Sequence, residues 1–183
     1  MKNEFYIYKC FFQKKSYIQL DIKPKYILIL LYSMSDENGQ VTIQKIELAK
    51  ILNMSKQSLN FALKKLEINN FISRENPKII KVNRPTNKDK IPMNKSLIFG
   101  EYNKLSYGAQ ILYTYYQNLQ EKENKEYLKI PGEKIVETIG KSIKSIQIYY
   151  KELEAVGLLK KGREAQTNTL SFKKIESINP PPY

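Results

Sequence analysis

Two stretches of the chain carry residue types that recognise the edges of nucleic-acid bases. "SKQSLNFALKKLE" (Ser55–Glu67) puts Ser55, Lys56, Gln57, Asn60 and Lys64 on one face of a helix. "SIKSIQIYYKELE" (Ser142–Glu154) does the same with Ser142, Ile143, Lys144, Gln147 and Lys151. The carboxamides Gln57, Asn60 and Gln147 can donate to and accept from adenine at once, while the lysines hold phosphates or guanine. Ser55 and Ser142 stand where a helix begins, so they cap it and can also donate to a phosphate. Leu59, Leu63 and Leu66, answered by Ile146, Tyr150 and Leu153, occupy the opposite face and point to a core. Ile143 either meets a thymine methyl group or packs, and the sequence leaves both open. Arg74, Lys78, Lys161 and Arg163 fall on or beside hairpins, within reach of a DNA backbone or minor groove.

Other chemistry is thinly provided for. The chain has no histidine, so it lacks an imidazole base, a Ser-His or Cys-His nucleophile and a His metal ligand. One cysteine makes neither a zinc site nor an internal disulfide, and the seven glycines form no phosphate-cradling pattern. The expectation is a non-enzyme with no cofactor and no metal. The runs "YTYY" and "IYY" have helical spacing and read as core rather than as stacking platforms for single strands.

The elements that must position these faces occur twice. Asn53 aligns with Gly140, Ser55 with Ser142, Ser58 with Ser145 and Leu66-Glu67 with Leu153-Glu154, all at an offset of 87. "VTIQKIELAKILN" overlays "LKIPGEKIVETIG" at the same offset, and upstream "YILILLYSM" meets "ILYTYYQNL" at an offset of 85. Each copy predicts a first helix capped by Asp21 or Ser106, burying Ile27, Leu28, Leu31 and Met34, or Leu112, Tyr113, Tyr116 and Leu119. A short strand follows ("QVTI", "YLKI"), then a second helix over 44–52 or 132–139. Next comes a left-handed turn at Asn53 or Gly140, and a third helix over 55–69 or 142–155. Small Ala49 (Val136 in the second copy), the turn residue and apolar Leu59 or Ile146 are what a helix-turn-helix needs. A β-hairpin closes each copy, "FIS" and "KIIKVN" in the first, "GLLKK" and "TLSF" in the second.

The fold class expected is mainly α with small β-hairpins (α+β): two tandem winged helix-turn-helix domains, pseudo-dimeric within one chain. They cover residues 1–83 and 91–174, with a polar linker over 84–90. A Pro-rich tail over 175–183 ends in "NPPPY", which matches a WW-domain ligand but reads as a frayed terminus.

The 183 residues carry 31 Lys and Arg against 18 Asp and Glu, a net charge of +13. Such a balance suits a polyanion partner, although an AT-rich genome also writes Lys, Asn, Ile and Tyr freely. No apolar run reaches the roughly 18 residues of a membrane span, and no signal peptide is evident. A cytoplasmic protein with no membrane partner is expected.

"KIPMNKSLIFGEYNKLSYGAQILYTYYQNLQEK" resembles the opening of the RepA N-terminal family of plasmid replication initiators from low-GC Gram-positive bacteria. The likeness rests on Ile91-Pro92, Leu97-Ile98, Tyr102 to Ser106 and Ala109 to Tyr113. It extends to "SIQIYYKELEAVGLLKKGR", where Lys144, Gln147 and Lys151 fall on the family's exposed recognition face, and covers roughly residues 90–172. It implies a winged helix that binds DNA, and a role in replication. In that family the winged helix usually opens the protein, whereas here the similar region comes second. The partner expected is double-stranded DNA, entered in the major groove by both third helices, with a homodimer or oligomer possible on repeated sites. Transcriptional regulation, a conjugation accessory role and a protein-interaction module stay open beside replication.

Overall fold

A computed structural model describes residues 4–176 apart from 77, 87, 165 and 166, and the backbone alone of Glu75. The chain is α+β, with seven α-helices and small antiparallel sheets among the described residues. It divides into two compact units, Met1–Met93 and Asn94–Tyr183.

The first unit starts with β1 (Phe5–Tyr8), a 3-10 turn at Lys9–Phe12 and the short α1 (Lys15–Ile18). Then come α2 (Ile22–Met34), β2 (Gln40–Thr42), α3 (Lys45–Ile51) and α4 (Lys56–Ile68), followed by the hairpin β3 (Ile72–Asn76) and β4 (Ile79–Val82). The last element, β5 (Lys90–Met93), pairs antiparallel with β1, Phe5 opposite Met93 and Tyr8 opposite Lys90. The segment expected as a polar linker is therefore held at both ends. Lys90 is in the ladder, and the Arg84 guanidinium donates to Ser35 Oγ at 2.8 Å and to the Glu37 carbonyl at 3.1 Å. The first compact unit runs on to Met93, through the segment expected as a linker.

The expected stripe on α2 is too narrow. Ile27, Leu28 and Leu31 are buried, but so are Ile29, Leu30 and Tyr32, while Met34 is half-buried. The reason is β1, which covers the far side of α2: Tyr6 Oη donates to the Tyr32 carbonyl at 2.9 Å, and Ser33 Oγ donates to the Tyr6 carbonyl at 3.1 Å. Asp21 sits at the N-cap of α2, yet its carboxylate makes no cap bond and instead accepts from Lys65 on α4 at 2.5 Å.

The second unit repeats the core of this order. A 3-10 turn at Lys95–Leu97 leads to α5 (Tyr107–Lys122), β6 (Leu128–Lys129), α6 (Gly132–Ile139), α7 (Ile143–Ala155) and the hairpin β7 (Leu159–Glu164) and β8 (Thr167–Phe172). The sheet order is β2-β4-β3 in the first unit and β6-β8-β7 in the second, so the hairpin's return strand is central in each. Here Ser106 does cap its helix, accepting from the Ala109 N–H at 3.4 Å. On α5, Leu112, Tyr113 and Tyr116 are buried and Leu119 is half-buried, but every residue from Gly108 to Thr114 is buried as well, so here too the expected stripe is too narrow. On α7 the fully packed tyrosine is Tyr149, while Tyr150, expected in the core, is half-buried.

Both hairpins reach further than expected. Arg74 and Asn76 pair with Ile80 and Ile79, and Gly162, Arg163 and Glu164 pair with Thr169, Asn168 and Thr167. The ladder continues on backbone bonds alone, through residues whose side chains alternate in no apolar pattern. The NPPPY motif lies outside the described residues. No described helix is long and apolar enough to cross a membrane.

Candidate nucleic-acid interface

The approach to each third helix is built by backbone hydrogen bonds. After α3 the chain turns at Asn53 with φ of 47°; its N–H bonds to the Lys50 carbonyl at 3.1 Å, and the Met54 N–H to Ala49 at 3.0 Å. After α6 it turns at Gly140 with φ of 72°, whose N–H bonds to the Val136 carbonyl at 2.8 Å. Both helices end in the left-handed region that Asn and Gly enter at least cost. Ser55 Oγ then accepts from the Ser58 N–H at 3.2 Å, and Ser142 Oγ from the Ser145 N–H at 3.3 Å, so α4 and α7 begin with the same cap.

Below the cap the helices are anchored by Leu59, Leu63 and Leu66 in one unit and by Ile146, Tyr149 and Leu153 in the other, all buried. That burial turns the opposite face outward. Ser55, Lys56, Gln57, Asn60 and Lys64 are exposed in the first unit, and Ser142, Lys144, Gln147 and Lys151 in the second. The structure thus brings each predicted group together on one helix face. Ile143 is 50 % exposed and stays on that face.

These faces carry no carboxylate. The acidic residues of α4 and α7 lie at the C-terminal ends, and each has a local task. Glu67 takes a two-pronged hydrogen bond from the Arg74 guanidinium on β3, a bond that raises the Arg74 pKa further. Glu154 pairs with Lys161 on β7 at 2.9 Å. Glu152 accepts from the Ser106 N–H at 2.7 Å, at the head of α5. Arg74 and Lys161 stand at equivalent places in the two copies, as do Glu67 and Glu154, so one buttress between third helix and hairpin is written twice. Such half-exposed pairs contribute at most about 1 kcal/mol each. Of the four hairpin cations expected near DNA, two are therefore engaged within the protein. Lys78, before β4, and Arg163, on β7, are exposed.

Sequence reasoning missed two features of these helices. Phe61 is 64 % exposed and Ile148 50 %, at aligned positions beside Asn60 and Gln147. The Lys65 ammonium lies 5.0 Å from the centre of the Phe61 ring. Their offset of 87 was a readable signal. The other is the matched exit: Asn70 (φ 58°) and Gly157 (φ 72°) end α4 and α7 in the same left-handed cap. There the N–H groups of Phe71 and Leu158 return to the Leu66 and Leu153 carbonyls, both at 2.9 Å.

Comparison of the chain with protein-family models, curated proteins and solved structures gives no match. The likeness of residues 90–172 to plasmid initiators rests on the quoted motifs alone.

Proposed function

We propose that the chain is a tandem winged-helix protein that binds double-stranded DNA with sequence preference, each unit laying its third helix in a major groove. The observation that carries this reading is the repeated face. Twice in one chain, a left-handed turn and a serine cap present lysines with carboxamides on a helix face free of carboxylates. A helix of this kind fits the B-DNA major groove, where carboxamides discriminate bases and ammonium groups hold phosphates. Because the copies differ at the reading positions, Gln57 and Asn60 against Lys144 and Gln147, the preferred site is not a perfect palindrome. Control of plasmid or mobile-element replication is the biological role we favour within this reading, on the strength of the resemblance over residues 90–172.

Selection from a random duplex pool at about 150 mM salt, followed by mobility shift, tests the reading. Asn60→Ala and Gln147→Ala are expected to reduce the preference for selected over scrambled duplex by roughly tenfold, the value of one good base contact. Lys56→Ala is expected to weaken both complexes alike and to flatten the salt slope by about one. Equal losses on both duplexes for all three variants would place the reading face elsewhere. Permanganate reactivity of bound DNA separates an initiator that melts its site from a regulator or conjugation factor that does not. Exposed Phe61 and Ile148 favour a second reading, in which the same helices dock a protein; absence of any selected duplex would favour it.

A further inference from the structure

The first turn of α7 departs from that of α4 at one corner. Ile143 opens α7 and is 50 % exposed, on the face that carries Ser142, Lys144, Gln147 and Lys151. Its Cδ1 reaches towards the head of α6, lying 3.5 Å from where a Cβ on Gly132 would sit. Gly132 has no side chain with which to cover the isoleucine. The contact between α6 and α7 is filled by Ile135, Ile139 and Ile146, all buried, so Ile143 is not needed to complete it.

The repeat shows that the fold does not call for an apolar residue at this corner. Ile143 aligns with Lys56 and Gly132 with Lys45, at the offset of 87 that relates the two units. Lys56 is exposed and Lys45 half-buried, yet α4 begins with the same serine cap and rests on buried Leu59, Leu63 and Leu66. One unit therefore offers two ammonium groups where the other offers a bare glycine and a branched hydrocarbon. Ammonium groups suit phosphate, whereas a branched hydrocarbon suits the C5-methyl group that thymine presents in the major groove. The N-terminal residues of such a helix are the ones that reach base edges. Gln147 stands one turn further on, at i+4, so its carboxamide is the neighbour of Ile143 on the helix surface. Ile148 is also exposed, but apolar Phe61 matches it, so it marks no difference between the units.

We propose that Ile143 reads a thymine through its C5-methyl group, beside an adenine read by Gln147, so that the second unit selects adjoining A·T pairs. This specificity rests on the DNA-binding reading above and assigns bases to one of its two units. The test takes a duplex selected by the full-length protein and replaces each thymine in turn by deoxyuridine, which lacks only that methyl group. One replacement is expected to weaken binding about fourfold, the value of burying one methyl group. The same replacement should leave the affinity of Ile143→Ala unchanged, because the methyl group then has no partner. Ile143 stands outside the core, so Ile143→Ala is expected to keep the parent's melting temperature. Indifference of the parent to every replacement would overturn the proposal, while the preference for the selected duplex, and with it the DNA reading, stood. Equal sensitivity in the parent and in Ile143→Ala would also overturn it, by giving the methyl group to another residue. Failure to select any duplex would remove the DNA reading and this specificity together.

Discussion

Glu67 and Glu154 do work that only the paired copies make visible. Each holds a hairpin cation, Arg74 or Lys161, against the end of the third helix rather than releasing it to a partner. If that helix lies in a groove, freeing Arg74 adds a cation within reach of phosphate. Glu67→Gln is expected to raise affinity for selected and scrambled duplex alike and to steepen the salt slope by up to about one. A slope equal to that of the parent, measured between 50 and 200 mM salt, would put Arg74 outside the contact. A second residue matters for the core. Tyr149 closes the second unit because Gly108 faces it: a Cβ there would lie 2.0 Å from Tyr149 Cζ. Gly108→Ala must push a buried ring aside, at a cost of about 1–3 kcal/mol. Thermal unfolding should show this as a loss of several degrees, and an unchanged midpoint would mean that the ring swings out freely.

The turn into each third helix is where the two copies can be compared as elements. Gly140 holds φ at 72°, so Gly140→Ala forces a β-carbon into the left-handed region at about 1–2 kcal/mol. Asn53 already occupies that region at 47°, and Asn53→Gly is expected to change stability by only a few tenths of a kcal/mol. Chemical denaturation of the two variants checks the contrast; equal effects would show that the turns are not equivalent. The helices α3, α4, α6 and α7 were legible because apolar spacing, a serine cap and an Asn or Gly turn agree within some fifteen residues. The β1–β5 ladder was not, because its two four-residue strands are more than eighty positions apart and β1 does not alternate. Its concealment explains the other misreadings nearby: α2 buried on both sides, and a linker that proves to be held. The far ends of the hairpin strands escaped notice because their exposed polar residues resemble a loop until the backbone pairing is seen. Tyr150 was chosen over Tyr149 because both fit a helix face, and only Gly108 on another helix decides between them.

At the scale of the molecule, the two units bury tyrosines in separate cores, and this ties stability to alkaline pH. Tyr32 in the first unit donates to the Asn83 carbonyl at 2.8 Å and accepts from Tyr17 Oη at 3.3 Å, while in the second Tyr113 donates to the Lys173 carbonyl at 2.8 Å. Burial raises the pKa of Tyr32, Tyr113 and Tyr116 above the ordinary phenol value. A pKa higher in the folded than in the unfolded chain means that the folded state holds the proton more tightly. The stabilisation is whole below the unfolded value of about 10 and is lost progressively as pH rises from there towards the folded values. Both units should therefore lose helix in alkali, rather than one core surviving the other. Tyrosinate absorbance and far-ultraviolet circular dichroism, followed together from pH 8 upward, test this. The buried tyrosines, such as Tyr32 and Tyr113, should ionise only as helix disappears. Complete ionisation with full helix content would show that water reaches these rings in the folded protein.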